Sequence, residues 1–366
     1  MVRTILCAAL ATTATATTCN PELIAAQARA SSAQALSGGA SYGNVAPLTF
    51  LPHDLSDPES PACLDGSPYG FYFVPSATNS TKWTISIDGG GWCYDEIDCY
   101  CRSKTALGTS TVLANSSGCG CMNPLEDGTL DQDCNCLHLP YSDGASFSGY
   151  RADAWPVPEN AEAGVPANAT VYFRGIKNFD GILDYAMAHG MGDATELVVT
   201  GGSAGGLSTF LHTDRAAARV PKAKVRSAPV VGFFLDVDNF KHTTGNESGH
   251  GGPNTPEWST PGTGANYTTW MKYIYGMQNL TFGSDGGLTE ACQTQYPDAP
   301  HLCFMSPHMS TIIQTPLFMF NSRFDAWQLA NEFQSNWETA EEQVRCFFVL
   351  KLPASQCNTL EVLAQT

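Results

Sequence analysis

The sequence predicts an α/β protein in which a mostly parallel sheet carries helices on both faces. Three consecutive stretches support this prediction: residues 195–202, "TELVVTGG", residues 204–220, "AGGLSTFLHTDRAAARV", and residues 227–236, "SAPVVGFFLD". The first is short and continuously apolar, which is typical of a strand buried on both faces. The second is predicted to be a helix that ends at Pro221, and the third is again a strand. Strand, helix and strand in alternation are the signature of a parallel sheet covered by helices.

The remaining elements extend this alternation along the chain. Residues 70–75, "GFYFVP", and 82–91, "KWTISIDGGG", are predicted to be two strands joined by a turn at Asn79. Residues 169–175, "ATVYFRG", are predicted to be a strand, and the apolar spacing from Phe179 to Met191 predicts a helix. The later predictions are a polar insertion at 238–300 containing a short helix at 270–277, and a strand at 315–322.

Composition divides the chain into four segments. They are a predicted signal peptide (1–25), an Ala/Ser-rich linker (26–60), a globular domain (61–337) and an atypical C-terminal segment (338–366). The apolar core of the signal peptide is weak, so its cleavage is expected anywhere from about Thr18 to Ala30. No later stretch reaches the roughly 18 apolar residues of a membrane span.

Cysteine usage indicates an oxidising, extracellular compartment. The chain has 14 cysteines, and a cluster of them lies between Cys93 and Cys136 among Gly, Asn, Asp and Ser residues. This pattern predicts a loop-rich segment held by disulfides, although the sequence does not give the pairing. A zinc site is the alternative, but "CYC", "CGC" and "CNC" have one-residue gaps where structural zinc usually needs two to four. Six N-glycosylation sequons agree with secretion, at Asn79, Asn115, Asn168, Asn246, Asn266 and Asn279.

The charge of the chain excludes some partners. A formal net charge of -17 argues against nucleic acid, which requires clustered Lys and Arg, and it disfavours anionic membranes. One basic stretch, "RAAARVPKAKVR" at 215–226, is interpreted as a solvated helix end and loop rather than a site for an acidic ligand.

The residues around Ser203 fit a nucleophile motif. Gly201, Ser203 and Gly205 match G-x-S-x-G, with a predicted strand before them and a predicted helix after them. A sharp turn at this point would lift the serine hydroxyl above the sheet, and the N–H of Ala204 would face a developing oxyanion. The alternative is a glycine-rich tight turn without catalytic function.

Two further stretches offer partners for this serine. The glycines of "DGGGWC", Asp88 to Cys93, follow a strand and would leave backbone N–H groups free as further oxyanion donors, unless they form an ordinary hairpin. Asp325 follows the strand at 315–322, where a catalytic acid is expected in chain order. An isolated Asp before a helix, however, is also a common helix cap.

Several stretches together resemble a known family. They are "CLDGSPYGFYF", "DGGGWC", "YSDGASFSG", "VYFRG", "GGSAGGLSTFLHTD" and "TPLFMFNSRFDAWQL", in the family's order over roughly residues 60 to 335. On these motifs the chain resembles the pectin acetylesterase family, which also contains the Notum carboxylesterases. The resemblance implies an α/β-hydrolase-like fold and the hydrolysis of acyl esters without a metal or organic cofactor. It also implies site residues: Ser203 as nucleophile, Asp325 as the acid, and the N–H groups of Gly91, Trp92 and Ala204 as the oxyanion hole.

The resemblance also implies a class of substrate. It points to an acylated cell-wall polysaccharide such as pectin, with a Notum-like lipid ester as the alternative. A strongly negative protein would repel a polyanion unless a local basic patch or low pH intervenes.

The chain departs from the family at its C-terminal end. The resemblance stops after about Trp337, and the family's catalytic histidine lies beyond the acid, whereas no histidine follows His308 here. Three interpretations are open: an altered or truncated C-terminus, a protein that has lost its base and only binds, and a histidine recruited from elsewhere. Loss of the base in a serine hydrolase costs about a million-fold in rate, so without a substitute this chain is expected to be nearly inactive.

Five histidines are considered as substitutes for that base. They are His212, His242, His250, His301 and His308. His212 lies nine residues into the helix after Ser203, roughly 13 Å along its axis, which is too far for the hydroxyl. The others lie in the polar insertion or before the acid strand.

Overall fold

The central feature of the fold is a seven-stranded sheet. A computed structural model describes Cys19, residues 45–123, 130–236 and 267–322, and Asp325, Trp327, Gln328 and Glu332. The strands are β1 (Val45–Phe50), β2 (Gly70–Val74), β3 (Lys82–Ile87), β4 (Ser116–Gly118), β5 (Asn135–Leu139), β6 (Trp155–Pro156), β7 (Thr170–Val171), β8 (Glu196–Gly202) and β9 (Lys224–Val230). The helices are α1 (Glu96–Arg102), α2 (Gly175–Ala188), α3 (Ala204–Arg219), α4 (Tyr267–Met277), α5 (Glu290–Gln295) and α6 (Ser306–Met309).

The order of strands in the large sheet is β4-β1-β2-β5-β3-β8-β9. The pairs β5–β3, β3–β8 and β8–β9 are parallel, and the pairs on the β4 side are antiparallel. The interior residues of β8 are all buried, as expected for a strand covered on both faces. Parallel bridges from Ser227 to Leu317 and from Val230 to Phe320 continue the sheet beyond β9. The predicted α/β fold class is confirmed.

The parallel register brings two strand ends together. Ile87 at the end of β3 lies opposite Gly201 near the end of β8. Because parallel strands end at the same edge, the loop after β3 and the turn after β8 meet there. This edge is where ligands bind in open α/β sheets.

Three sequence predictions are wrong in part. The strands β2 and β3 form, but β5 lies between them, so the segment around Asn79 does not make a hairpin. Residues 45–60 are not a linker, because β1 pairs with β2 and Leu51 packs into the core. Of residues 169–175 only β7 is a strand, and it pairs with β6 in a separate sheet. These predictions failed because strand pairing depends on tertiary contacts, which the composition and pattern of a short segment do not encode.

Disulfides hold the cysteine-rich segment, as predicted. The pairs are Cys19–Cys101, Cys93–Cys99, Cys119–Cys136, Cys121–Cys134 and Cys292–Cys303. The segment also contains α1, β4 and β5, which its loop-like composition did not indicate. Among the described cysteines Cys63 is reduced, and burial raises the pKa of its thiol to about 11, so it is not a reactive thiolate.

The pairing of Cys19 bears on the predicted signal peptide. Cys19 is bonded to Cys101, and its backbone N–H donates to the carbonyl of Ala163 at 3.0 Å. A leader cleaved after residue 19 would remove this disulfide. The Cys19–Cys101 pair is compatible only with a cleavage site before Cys19, and the signal peptide itself stays a prediction.

Three of the five cations in the basic stretch at 215–226 are paired with carboxylates within the fold. Arg215 pairs with Asp180 at 2.6 Å and Arg219 with Asp184 at 2.7 Å. The end of the stretch lies in β9, where Arg226 is 3.7 Å from Glu196. These pairs reduce the positive charge that the stretch offers to an acidic ligand, which agrees with its interpretation as a solvated helix end and loop. No helix in the described part of the chain is both long enough and apolar enough to cross a bilayer.

Candidate active site

Ser203 occupies a sharp turn between β8 and α3. Its backbone has φ 55° and ψ −123°, a region that non-glycine residues rarely adopt. Its N–H donates to the carbonyl of Val230 at 3.0 Å, and its carbonyl accepts the N–H of Leu207 at 3.0 Å, so the turn is fixed on both sides. The residue remains partly exposed. Backbone strain of this kind costs about 1–3 kcal/mol and concentrates at functional sites.

The glycines around Ser203 are required by close packing. A Cβ on Gly201 would lie 2.3 Å from the carbonyl oxygen of Gly205. A Cβ on Gly205 would lie 2.4 Å from the carbonyl oxygen of Ile87, and one on Gly206 would lie 2.7 Å from the Cα of Gly232. The strand end and the helix start thus pass each other at a distance that excludes any side chain. This close packing explains why glycine occupies both flanking positions of the G-x-S-x-G motif, Gly201 and Gly205.

The glycine loop after β3 lies directly against this turn. A Cβ on Gly89 would be 2.8 Å from the Cβ of Ser203 and 3.2 Å from the nitrogen of Ala204. Gly91 has φ +67° and open space where a side chain would be. Within the described residues, no acceptor takes the backbone N–H of Gly91, Trp92 or Ala204. The three N–H groups predicted as oxyanion donors therefore come from two segments in contact at one edge of the sheet.

A buried serine ties these two segments together. The indole Nε1 of Trp92 donates to the Ser146 hydroxyl at 2.9 Å, and that hydroxyl donates to the carbonyl of Ala204 at 2.9 Å. Ser146 also has a positive φ of 52°, and its N–H donates to the hydroxyl of Tyr141 at 2.9 Å. Through Ser146, the motif "YSDGASFSG" therefore connects the glycine loop after β3 to the start of α3.

Aromatic rings fill the space beside Trp92. The Trp92 ring lies 4.9 Å from Phe234, 5.8 Å from Tyr267 and 5.7 Å from Trp327, measured between ring centroids. Phe234 and Tyr267 are almost fully buried. The chain's own side chains thus occupy the apolar volume on this side of the loop.

Asp325 makes the contacts of a helix cap. Its Oδ1 accepts the N–H of Trp327 at 2.9 Å and of Gln328 at 3.0 Å. Trp327 in turn packs on Trp92, so Asp325 belongs to the segment that borders the glycine loop. These capping contacts use only one of the two carboxylate oxygens, so the other oxygen could still face a base. The role of Asp325 as catalytic acid stays a prediction.

The described histidines that were considered as bases have other partners or lie elsewhere. His212 is buried, and its Nε2 lies 2.9 Å from the carbonyl oxygen of Ser146 and 3.1 Å from the Ser148 hydroxyl. His308 is bound to Asp236 at 2.7 Å. Burial of His301 lowers its pKa. Within the residues that the structure describes, His212, His301 and His308 make no hydrogen bond to Ser203 or Asp325. His242 and His250 lie outside the described residues.

His212 gives the fold a predictable response to pH. Burial lowers its pKa to about 3, with a smaller opposing effect from the Ser146 carbonyl, so the folded protein holds it neutral. Its unfolded pKa is about 6.5, so this contribution to stability is complete above pH 6.5 and is lost as pH falls toward 3. Between pH 7 and pH 5 the expected loss is about 2 kcal/mol in the free energy of unfolding.

A difference measurement isolates this contribution. Urea unfolding of the wild type and of His212→Gln at pH 5 and pH 7 should show that the variant lacks this part of the pH dependence. The comparison is needed because burial raises the pKa of Asp143 to about 7, and that carboxyl destabilises the fold as pH rises from 4 to 7. Equal pH dependence in both proteins would contradict the assignment of His212.

The described glycosylation sequons lie on the surface. Asn79, Asn115, Asn168 and Asn279 are exposed, and all but Asn115 have positive φ angles that place them in turns. Asn246 and Asn266 lie outside the described residues. Glycosylation at the four exposed sites stays a prediction.

The fold and the site together define a class of protein. A strand–serine–helix turn at the carboxyl edge of a parallel sheet, faced by a glycine loop, is the arrangement of the α/β-hydrolase fold. The chain matches the pectinacetylesterase family over residues 41–365 and belongs to that family. The match runs past Trp337, so the prediction that the family resemblance stops there is wrong.

Named relatives come from two branches. Pectin acetylesterase 11 of Arabidopsis thaliana is 28% identical over 320 residues, covering 86% of this chain and 71% of that protein. The palmitoleoyl-protein carboxylesterase NOTUM of Drosophila melanogaster is 25% identical over 280 residues, covering 73% of this chain and 36% of that protein. The solved structure of the Wnt deacylase Notum from Drosophila superposes with a TM-score of 0.62 at 21% identity, over 83% of this chain and 80% of that structure. This last likeness concerns the fold alone.

Proposed function

We propose that the protein is a secreted carboxylic-ester hydrolase with Ser203 as its nucleophile. The observation that carries the proposal is the strained, partly exposed backbone of Ser203 beside three N–H groups without acceptors among the described residues. The Ser203 oxygen attacks the ester carbonyl and transfers its proton to a base, while the N–H groups of Gly91, Trp92 and Ala204 stabilise the oxyanion. Collapse expels the alcohol, which takes the proton. Water then attacks the acyl-enzyme by the same route and releases the acid.

The base is the one component that the proposal does not assign. Asp325 would orient a histidine, as the family resemblance implies, but no histidine lies between Asp325 and Thr366. This observation favours a second candidate function, a binding protein that uses the same site without turnover. The two differ in one measurable respect, because a binding protein folds and retains ligand without acyl-enzyme formation.

The proposed substrate carries a short acyl group. The rings of Trp92, Phe234 and Tyr267 pack against one another beside the glycine loop, which supports an acetyl group over a long acyl chain. The first relatives are named pectin acetylesterases, and an O-acetylated cell-wall polysaccharide such as pectin is the proposed polymer. The disulfides support an oxidising compartment and thus secretion, where such a polymer would be met.

A chain-length series tests this function. Protein secreted from the natural transcript is assayed on 4-nitrophenyl acetate, butyrate, octanoate and palmitate, and for acetate release from acetylated pectin, with Ser203→Ala as the blank. The expected result is the highest kcat/KM for the acetate, together with acetate release from the polymer. A higher kcat/KM for octanoate or palmitate would contradict the acetyl assignment. If the folded protein turns over none of these substrates, the binding function is the one that remains.

A further inference from the structure

A buried arginine contacts the glycine loop from the side of the disulfide-rich segment. Arg102 is the last residue of α1 and is 7% exposed. Its Nη2 donates to the carbonyl oxygen of Gly90, and its guanidinium lies 5.7 Å from the centre of the Tyr141 ring. Helix α1 is anchored by two disulfides, Cys93–Cys99 and Cys19–Cys101, which hold the backbone that carries Arg102.

The carbonyl that Arg102 holds belongs to the same peptide group as the Gly91 N–H. A trans peptide is planar, and its C=O and N–H point in opposite directions. A donor that fixes the Gly90 carbonyl therefore also fixes the Gly91 N–H, aimed away from Arg102. The direction of this N–H is what decides whether it donates to an oxyanion at Ser203.

The loop itself does little to fix this direction. Gly90 has φ +153° and Gly91 has φ +67°, and glycine accepts both signs of φ without steric cost. A peptide between two glycines can turn over more easily than any other. If the Gly90–Gly91 peptide turned over, its carbonyl oxygen would lie where the oxyanion forms. The partial negative charge of that oxygen would repel the oxyanion.

We propose that Arg102 is a positioning residue that selects the oxyanion-binding orientation of the Gly90–Gly91 peptide. This inference rests on the proposed function of Ser203. A hydrogen bond from a charged donor is stronger than one from a neutral donor, and it is strengthened further in a buried site. The Nε of Arg102 is buried without a partner in the described residues, so the side chain carries an unsatisfied donor while its Nη2 holds the loop.

Two variants and a matched control test the proposal kinetically. Arg102→Met keeps the apolar stem and removes the donors, whereas Arg102→Lys keeps one charged donor. Lys104→Met removes a cation near the same helix end, where Lys104 lies 4.3 Å from the Tyr100 ring. Loss of one oxyanion donor costs about 10²–10³ in kcat, so Arg102→Met is expected to lose roughly 10- to 100-fold in kcat with little change in KM. Arg102→Lys should recover part of that loss, and Lys104→Met should match the wild type.

Titration of reactive Ser203 sites separates this role from a merely structural one. Partial unfolding would lower the number of reactive Ser203 sites without changing kcat per reactive site. If both Arg102 variants keep the wild-type kcat per reactive site, the proposal is overturned. If the Arg102→Met variant does not fold, the Arg102→Lys variant carries the same comparison.

A crystal structure tests the proposal independently of catalysis. In the Arg102→Met variant, the Gly90–Gly91 peptide is expected to turn over or to occupy two orientations. Retention of the wild-type orientation in that variant would overturn the role of Arg102 even if Ser203 is an active nucleophile. Conversely, a wild type that hydrolyses no ester would end the proposed function, while the peptide orientation in the variant would still decide what Arg102 does.

Discussion

In a protein in which a base serves Ser203, replacing Ser203 by alanine is expected to lower kcat for ester hydrolysis by about a million-fold, the effect of removing the nucleophile of a serine hydrolase. Without such a base the wild type already lacks that rate, and the substitution changes kcat little. The fold should be unaffected, because alanine and serine meet the same backbone strain at φ 55° and the Ser203 contacts in the turn come from its main chain. The measurement is the rate of 4-nitrophenyl acetate hydrolysis by protein secreted from the natural transcript, beside its melting temperature.

A matched control removes a different serine hydroxyl. Ser310 donates to the carbonyl of Pro307 at 2.9 Å near the end of α6, and Ser310→Ala should leave kcat unchanged. If Ser203→Ala retained the wild-type rate, another group would be the nucleophile and the site described here would be wrong.

Where a histidine serves Ser203, replacing Asp325 by asparagine is expected to lower kcat by about 10⁴-fold, with almost no loss of stability. Asparagine keeps a side-chain oxygen for the N–H groups of Trp327 and Gln328 and is itself a favourable cap residue. It removes the charge that would orient and stabilise a protonated histidine, and loss of that charge in a catalytic triad costs about four orders of magnitude. The measurement is kcat and the free energy of unfolding for the same variant.

The asparagine variant separates the two interpretations of Asp325. If the residue is only a cap, Asp325→Asn should match the wild type in both quantities. Asp325→Ala then serves as a reference, because loss of the cap alone costs about 1 kcal/mol in stability. Wild-type kcat in Asp325→Asn would contradict the acid role.

The sequence predicted the features of this fold that depend on neighbouring residues. The turn at Ser203 could be predicted because its glycines, Gly201 and Gly205, are required by contacts within a few residues and across one strand end. Strand β8 and helix α3 likewise have patterns of burial that match their apolar residues. The family motifs added the glycine loop, which the structure brings against the serine turn.

Features that depend on distant residues could not be predicted in this way. The disulfide pairing is set by how β5 enters the sheet between β2 and β3, and the spacing of the cysteines does not contain that information. Arg102 carries no motif signal either, because its role depends on a carbonyl twelve residues earlier. Ser146 could have been found only from its place in the motif "DGASFSG", since its link between Trp92 and Ala204 is tertiary.

Covalent labelling shows whether Ser203 is an activated nucleophile. Protein secreted from the natural transcript is treated with a fluorophosphonate, digested, and analysed by mass spectrometry of the peptide that spans Ser203. We expect one phosphonate on Ser203, and we expect none after prior denaturation or in the Ser203→Ala variant. If folded protein carries no phosphonate on Ser203, Ser203 is not an activated nucleophile, and a binding protein on a hydrolase fold is the remaining function.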